Sequence, residues 1–145
     1  MVRVEGMTDE VRAFLSDGTR TGKLGWTAKD GRPLVAPVWF VVDEKTDELV
    51  FTTFSTSAKG RALARDPRLS LCVDDSVPPY AYVQVQGTAM VSEDADELRS
   101  WATRIAGRYM GADRAAEYGQ RNGSEGELLV RLCPIKVLSD FDVSG

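Results

Sequence analysis

A strand-rich α+β fold, a small antiparallel barrel with helices set against it, is what this sequence predicts, and three observations carry the expectation. About six short runs rich in β-branched and aromatic residues recur along the chain, hairpin-type turns join most of them, and capped amphipathic segments stand between the others. No repeat, linker or low-complexity stretch divides residues 1–145, so a single domain is expected.

The elements follow in order. Thr8 is placed to cap a short helix with Asp9 and Glu10 in its first turn and Val11, Phe14 and Leu15 on one face, and Gly18 ends it. Residues 19–27 suit a strand, and Lys29-Asp30-Gly31-Arg32 carries the Asp-Gly signal of a tight hairpin. Residues 34–43 read as the returning strand. Its run Val38-Trp39-Phe40-Val41-Val42 is apolar without alternation, as expected of a strand covered on both faces. A turn at 44–47 leads to a third strand at 48–54, which completes a meander. Ser55-Thr56-Ser57 supplies cap hydroxyls for a helix over 58–65 that Asp66-Pro67 stops. Residues 68–73 form a fourth strand and 80–91 a fifth, with Val83 and Val85 alternating against Tyr82, Gln84 and Gln86. Asp94 opens the longest helix, where Leu98, Trp101, Ile105 and Tyr109 recur at helical spacing and Gly111 closes the run. Residues 113–121 suit another helical turn or two, 122–126 a polar loop, and 128–132 and 136–138 the last strands.

Composition narrows the chemistry. With 43% hydrophobic and 28% charged residues the chain has globular usage, and a formal charge of −4 argues against a nucleic-acid binder. The N-terminal segment lacks the basic stretch and long apolar run of a secretory signal, so a cytoplasmic protein without membrane association is expected. Cys72 and Cys133 lie far apart within apolar runs and read as buried free thiols. The chain contains no histidine. That removes Ser-His-Asp and Cys-His catalysis, the usual zinc sites and the commonest general base, so no metal site is expected and a bound cofactor is the economical source of reactivity.

One segment has the chemistry for a phosphate. Thr52-Thr53-Phe54-Ser55-Thr56-Ser57-Ala58-Lys59-Gly60-Arg61 joins a strand to a helix, with hydroxyls ahead of Lys59 and Arg61. Helix-start amides point outward, the dipole favours negative charge, and a cation completes the neutralisation. On local pattern alone a basic helix face is usually a solvated one; likewise Trp39 and Trp101 suit core packing, and Thr52 with Thr53 suits β propensity.

The order of the neighbouring motifs raises the functional reading. Gly31-Arg32-Pro33, Pro37-Val38-Trp39, an acidic turn, Phe51-Thr52-Thr53, Lys59, then Asp66-Pro67-Arg68 together resemble the pyridoxamine-phosphate-oxidase-like superfamily of split barrels, over nearly the whole chain. The resemblance implies a six-stranded antiparallel split β-barrel with flanking helices. It implies a flavin-type ring along the second and third strands, matching Ala36, Pro37, Val38, Thr52 and Thr53, and a phosphate-bearing chain at Ser57, Ala58 and Lys59. Where relatives carry a second basic residue beside that lysine this chain has Ala58, which leaves Arg61 for the task. It also implies a homodimer in which the partner's strand, matching Tyr82 and Gln84, completes the pocket.

A departure separates the activities of the superfamily. The vitamin-forming oxidases place an Arg-x-His pair near the C-terminal strand, whereas this chain has Arg131-Leu132-Cys133. The sequence is more similar to the shorter, actinobacterial branch that uses the deazaflavin coenzyme F-420. That resemblance implies hydride transfer from the reduced deazaflavin to a small unsaturated acceptor; an FMN-dependent oxidoreductase and a non-catalytic cofactor binder are the alternatives. No catalytic residue is assigned: solvent or a tyrosine such as Tyr80 would supply the proton.

Overall fold

The computed structural model describes residues 1–145, the side chain of Glu5 apart. The chain runs β1 (Arg3–Glu5), α1 (Asp9–Ser16), β2 (Gly22–Thr27), β3 (Pro33–Val38), β4 (Val41–Val42), β5 (Leu49–Phe54), α2 (Ala58–Arg65), β6 (Arg68–Asp74), β7 (Tyr82–Ser92), α3 (Ala95–Met110), a 3-10 turn at Ala112–Arg114, α4 (Ala115–Asn122) and β8 (Glu127–Asp140). One antiparallel sheet orders these strands β3-β2-β6-β7-β8-β5-β4, with β1 added along β8. The sheet curls into the strand-rich α+β split barrel that the sequence predicts, built from eight strands rather than six.

The extra strands have identifiable causes. The expected strand over 34–43 breaks after Val38, because α3 takes the next backbone groups: Tyr109 Oη accepts the Phe40 N–H at 3.3 Å and Arg108 Nη1 donates to the Phe40 carbonyl at 2.7 Å. A residue whose N–H and C=O are both taken by side chains has nothing left for a ladder. The two short strands expected at 128–132 and 136–138 are instead one, β8, which crosses Pro134 by a register shift opposite Gln86/Gly87. Proline has no N–H to donate, so a bulge absorbs it.

Apolar side chains on the concave face, among them Leu24, Phe51, Leu71, Val83, Val85 and Val130, pack with Val11 and Leu15 of α1 and Leu63 of α2 in the main core. Such a side chain is worth roughly 1.5–3 kcal/mol on full burial. Thr8 caps α1 by accepting the Val11 N–H at 3.2 Å, as its spacing predicts. A second cluster, Val50, Leu98, Trp101 and Leu129, lies where α3 covers the other face of β5 and β8. That double coverage explains the unbroken apolar run Leu128-Leu129-Val130. Cys72 and Cys133 are free, but half-buried rather than buried. No helix among the described residues is long and apolar enough to cross a membrane.

Candidate functional site

The turn from β5 into α2 is built by its own residues. Ser57 adopts an extended backbone and its Oγ accepts the Gly60 N–H at 3.0 Å, donates to the Phe54 carbonyl at 2.7 Å, and lies 3.1 Å from Thr53 Oγ1. The remaining amides at the start of α2, which have no partner within the helix, form a ready donor site for an anion. Gly60 permits the tight join: a Cβ there would stand 2.2 Å from the Phe54 carbonyl oxygen.

Beside this turn lies a cavity of about 360 Å³ lined by Pro37 and Val38 of β3, Trp39 just after it, Thr52, Thr53 and Phe54 of β5, the cap residue Ser57 and Lys59 of α2, Ala102 and Ile105 of α3, Asn122 of α4, and Glu127 of β8. Its size falls in the range of small-molecule pockets, roughly 300–1,000 Å³. The Trp39 indole stacks on the Tyr109 ring at 5.1 Å between centroids and 6° between planes, which fixes an aromatic wall. Lys59 is half-buried, and that burial holds its ammonium below the usual lysine range with no carboxylate to offset it. Its Nζ sits 5.9 Å from the centre of the Trp26 ring.

Six of the residues singled out in the sequence therefore meet in one cavity: Pro37, Val38, Thr52, Thr53, Ser57 and Lys59. Five do not. Ala36 lies outside the lining, and Ala58 and Arg61 line a separate, smaller hollow with Trp26, Lys29 and Arg32. Gln84 lines a wider hollow of about 640 Å³ over β2, β6 and β7, with Trp26, Ser70 and Gln86, while Tyr82 lies further along β7. Tyr80 sits outside the cavity, 47% exposed in the connection before β7.

Trp39, Phe54, Ala102, Ile105, Asn122 and Glu127 line the cavity without having been singled out in the sequence as site residues, and Glu127 is the titratable one among them. It is 7% exposed, its Oε2 is sealed from solvent without a hydrogen-bond partner, and burial pushes its carboxyl up to about 6. The sequence predicts a polar loop through Gly126 and a strand beginning at residue 128, one residue beyond Glu127. Parity along β8 gives the signal that was there to be used: Glu127, Leu129 and Arg131 share one face, and α3 covers it.

Arg131 is held elsewhere. It donates to Asp43 at 2.9 Å, Glu48 at 3.1 Å and Glu97 at 3.3 Å, and lies over the Trp101 ring. Burial together with the neighbouring Glu48 carboxylate pushes the Cys133 thiol up to about 11. The Arg131-Leu132-Cys133 stretch is thus an internal ion-pair cluster, with its guanidinium already matched by carboxylates.

The comparisons agree with the fold. The family described as pyridoxamine 5'-phosphate oxidase matches residues 7–137. Among solved structures, the conserved hypothetical protein Rv2991 from Mycobacterium tuberculosis is 25% identical with a TM-score of 0.80, covering 95% of this chain and 86% of that one. A protein titled F420 reductase is 22% identical with a TM-score of 0.67, over 86% of this chain and 94% of that one. The haem storage protein HutZ from Vibrio cholerae is 17% identical with a TM-score of 0.72, over 96% and 99%. No curated protein matches in sequence. With about nine-tenths of its length matched and its sheet curled as a split barrel, the chain belongs to the pyridoxamine 5'-phosphate oxidase family.

Proposed function

We propose that the protein is an oxidoreductase that binds coenzyme F-420 in the cavity beside α2 and uses it to reduce a small unsaturated acceptor. The observation that carries the reading is the pairing of an unneutralised, half-buried Lys59 with an outward-facing helix start, next to a wall formed by Trp39 and apolar strand residues. That donor set suits a planar ring bearing a phosphate. The fold likeness to a protein titled F420 reductase supports the choice of cofactor.

When bound, the cofactor supplies hydride from its central ring. The residues do the rest: Lys59 and the α2 amides hold the phosphate, Pro37, Val38 and Thr52 bound the ring along the sheet, and Trp39, fixed by Tyr109, limits its tilt. Ala102 and Ile105 keep water from that side. Catalysis by orientation needs no histidine, which accords with the composition. Arg131, saturated by three carboxylates, is not placed to hold the phosphate of a vitamin substrate.

FMN in the same cavity is the second reading, because the phosphate site serves either cofactor. Haem binding, suggested by the likeness to HutZ, finds no His, Cys, Met or Tyr in the lining of this cavity to ligate the iron. Side-by-side equilibrium binding of F-420 and FMN tests the assignment: tighter F-420 binding by a colourless purified protein is expected. A yellow protein retaining FMN replaces it with the second reading, and binding of neither overturns both.

A further inference from the structure

Glu127 opens β8 directly opposite Phe54 and lies in the same cavity as Lys59. Buried oxygens without a partner are few in native proteins, and each calls for an explanation. Its surroundings in this cavity offer none. Among the lining residues β3, β5 and α3 present no titratable group, α4 presents the amide of Asn122, and α2 presents Lys59, which makes no ion pair with Glu127. The Ser57 hydroxyl is occupied by Phe54, Gly60 and Thr53.

We propose that Glu127 is the proton-linked recognition residue of this cavity: uncharged when the site is filled, it donates its carboxylic O–H to a carbonyl oxygen on the edge of a planar heterocycle and accepts an adjacent ring N–H on its own C=O. The inference rests on the cofactor reading above, since the pyrimidine-dione edge of flavins and deazaflavins offers that pairing of C=O and N–H. A carboxylic acid meets such an edge with two hydrogen bonds, whereas a carboxylate can only accept.

Burial alone brings the free carboxyl up to about 6. A ligand that fills the cavity removes further water, and a phosphate at Lys59 adds a negative charge nearby; both favour the neutral acid. Binding near neutral pH therefore takes one proton from solvent, converting the Glu127 carboxylate to the acid, with no other bond made or broken. The sign follows: affinity is complete below about pH 6 and falls as pH rises, by up to about tenfold per pH unit until the carboxyl of the complex also ionises.

The test is titration of F-420 and FMN into the full chain from pH 5.5 to 8.5, with calorimetry in two buffers of different ionisation enthalpy to count protons. Wild-type protein should lose affinity as pH rises and take up close to one proton at pH 7.5. Glu127→Gln, which keeps a donor and an acceptor but cannot titrate, should lack that loss, so that the ratio of its affinity to that of wild type, in which the ligand's own titration cancels, rises with pH above about 6. Glu127→Leu should bind at least tenfold more weakly at pH 6, and thermal melting shows whether each variant is folded; if the leucine variant is not, the glutamine variant decides. Equal pH slopes in wild type and Glu127→Gln, with cofactor bound, overturn the role of Glu127 and leave the cofactor assignment standing. Binding of neither cofactor by wild type at any pH overturns the assignment and this role together.

Discussion

Lys59 and Glu127 divide the charge of the cavity between them, and each gives a measurable consequence. Lys59 sits where α2 begins, half-buried and unpaired, so a phosphate held there gains a charge-assisted contact worth on the order of 1.5–3 kcal/mol. Lys59→Ala should weaken cofactor binding by about one to two decades while leaving the thermal midpoint close to wild type; unchanged affinity removes Lys59 from the site. Glu127 has the opposite character in the empty protein. Its carboxyl rises from 4.5 to about 6 on folding, so the folded state binds the proton more tightly than the unfolded one. Stability is then lost as pH climbs through that window, by roughly 1–2 kcal/mol in full. Glu127→Gln should therefore raise the denaturation free energy at pH 8 by that amount and leave it unaltered at pH 4; equal gains at both values would point to packing in place of ionisation. This residue was hard to see in the sequence because an acid after Ser124-Glu125-Gly126 reads as the end of a polar loop. Its burial depends on which face α3 covers.

At the level of elements, the join between β5 and α2 determines whether the site exists. Helix and strand were both legible, the helix to the residue, because a cap hydroxyl, a run of good helix formers and Asp66-Pro67 punctuate it locally. What the local pattern does not contain is the requirement for glycine at position 60, where the helix passes against the carbonyls of Phe54 and Ser55. Gly60→Ala must push α2 off that strand end. A stability loss on the order of 2–3 kcal/mol in urea denaturation is expected, together with weaker phosphate binding than in Lys59→Ala if the folded fraction is held equal. Wild-type stability and affinity in Gly60→Ala would show that the join relaxes freely. The split of the expected 34–43 strand belongs to the same scale: α3 lies far along the chain, yet its Arg108 and Tyr109 claim Phe40 and the carbonyls of Leu15, Gly18 and Arg20. No window of sequence around Phe40 encodes that.

For the molecule as a whole, the proposal of a homodimer rests on the resemblance and on what one chain leaves apart. Gln84 and Tyr82 stand away from the cavity that holds Lys59, and the hollow over β2, β6 and β7 that Gln84 lines is flanked by exposed Val35 and Ile135. A second copy across this surface would cover those apolar side chains. Sedimentation at low micromolar concentration should give twice the chain mass, and a monomer that binds cofactor stoichiometrically would contradict it. Turnover carries a further expectation. In a chain without histidine, Glu127 is the group placed in the cavity to give a protein-derived step in the rate between about pH 5.5 and 7.5. Such a step should vanish in Glu127→Gln.

Most strand and helix positions, the caps of α1, α2 and α3, the Asp-Gly hairpin, the absence of histidine and the cationic helix start were legible from composition and from neighbours within a few residues. Tertiary structure alone decided which of those residues meet. It brought Pro37, Val38, Thr52, Thr53, Ser57 and Lys59 to one cavity and left Ala36, Ala58, Arg61, Tyr82 and Gln84 outside it, since β5 pairs with β8 across more than seventy residues of chain. It also buried Glu127, because long-range strand register and the docking of α3, rather than local hydropathy, set how much water reaches a carboxyl.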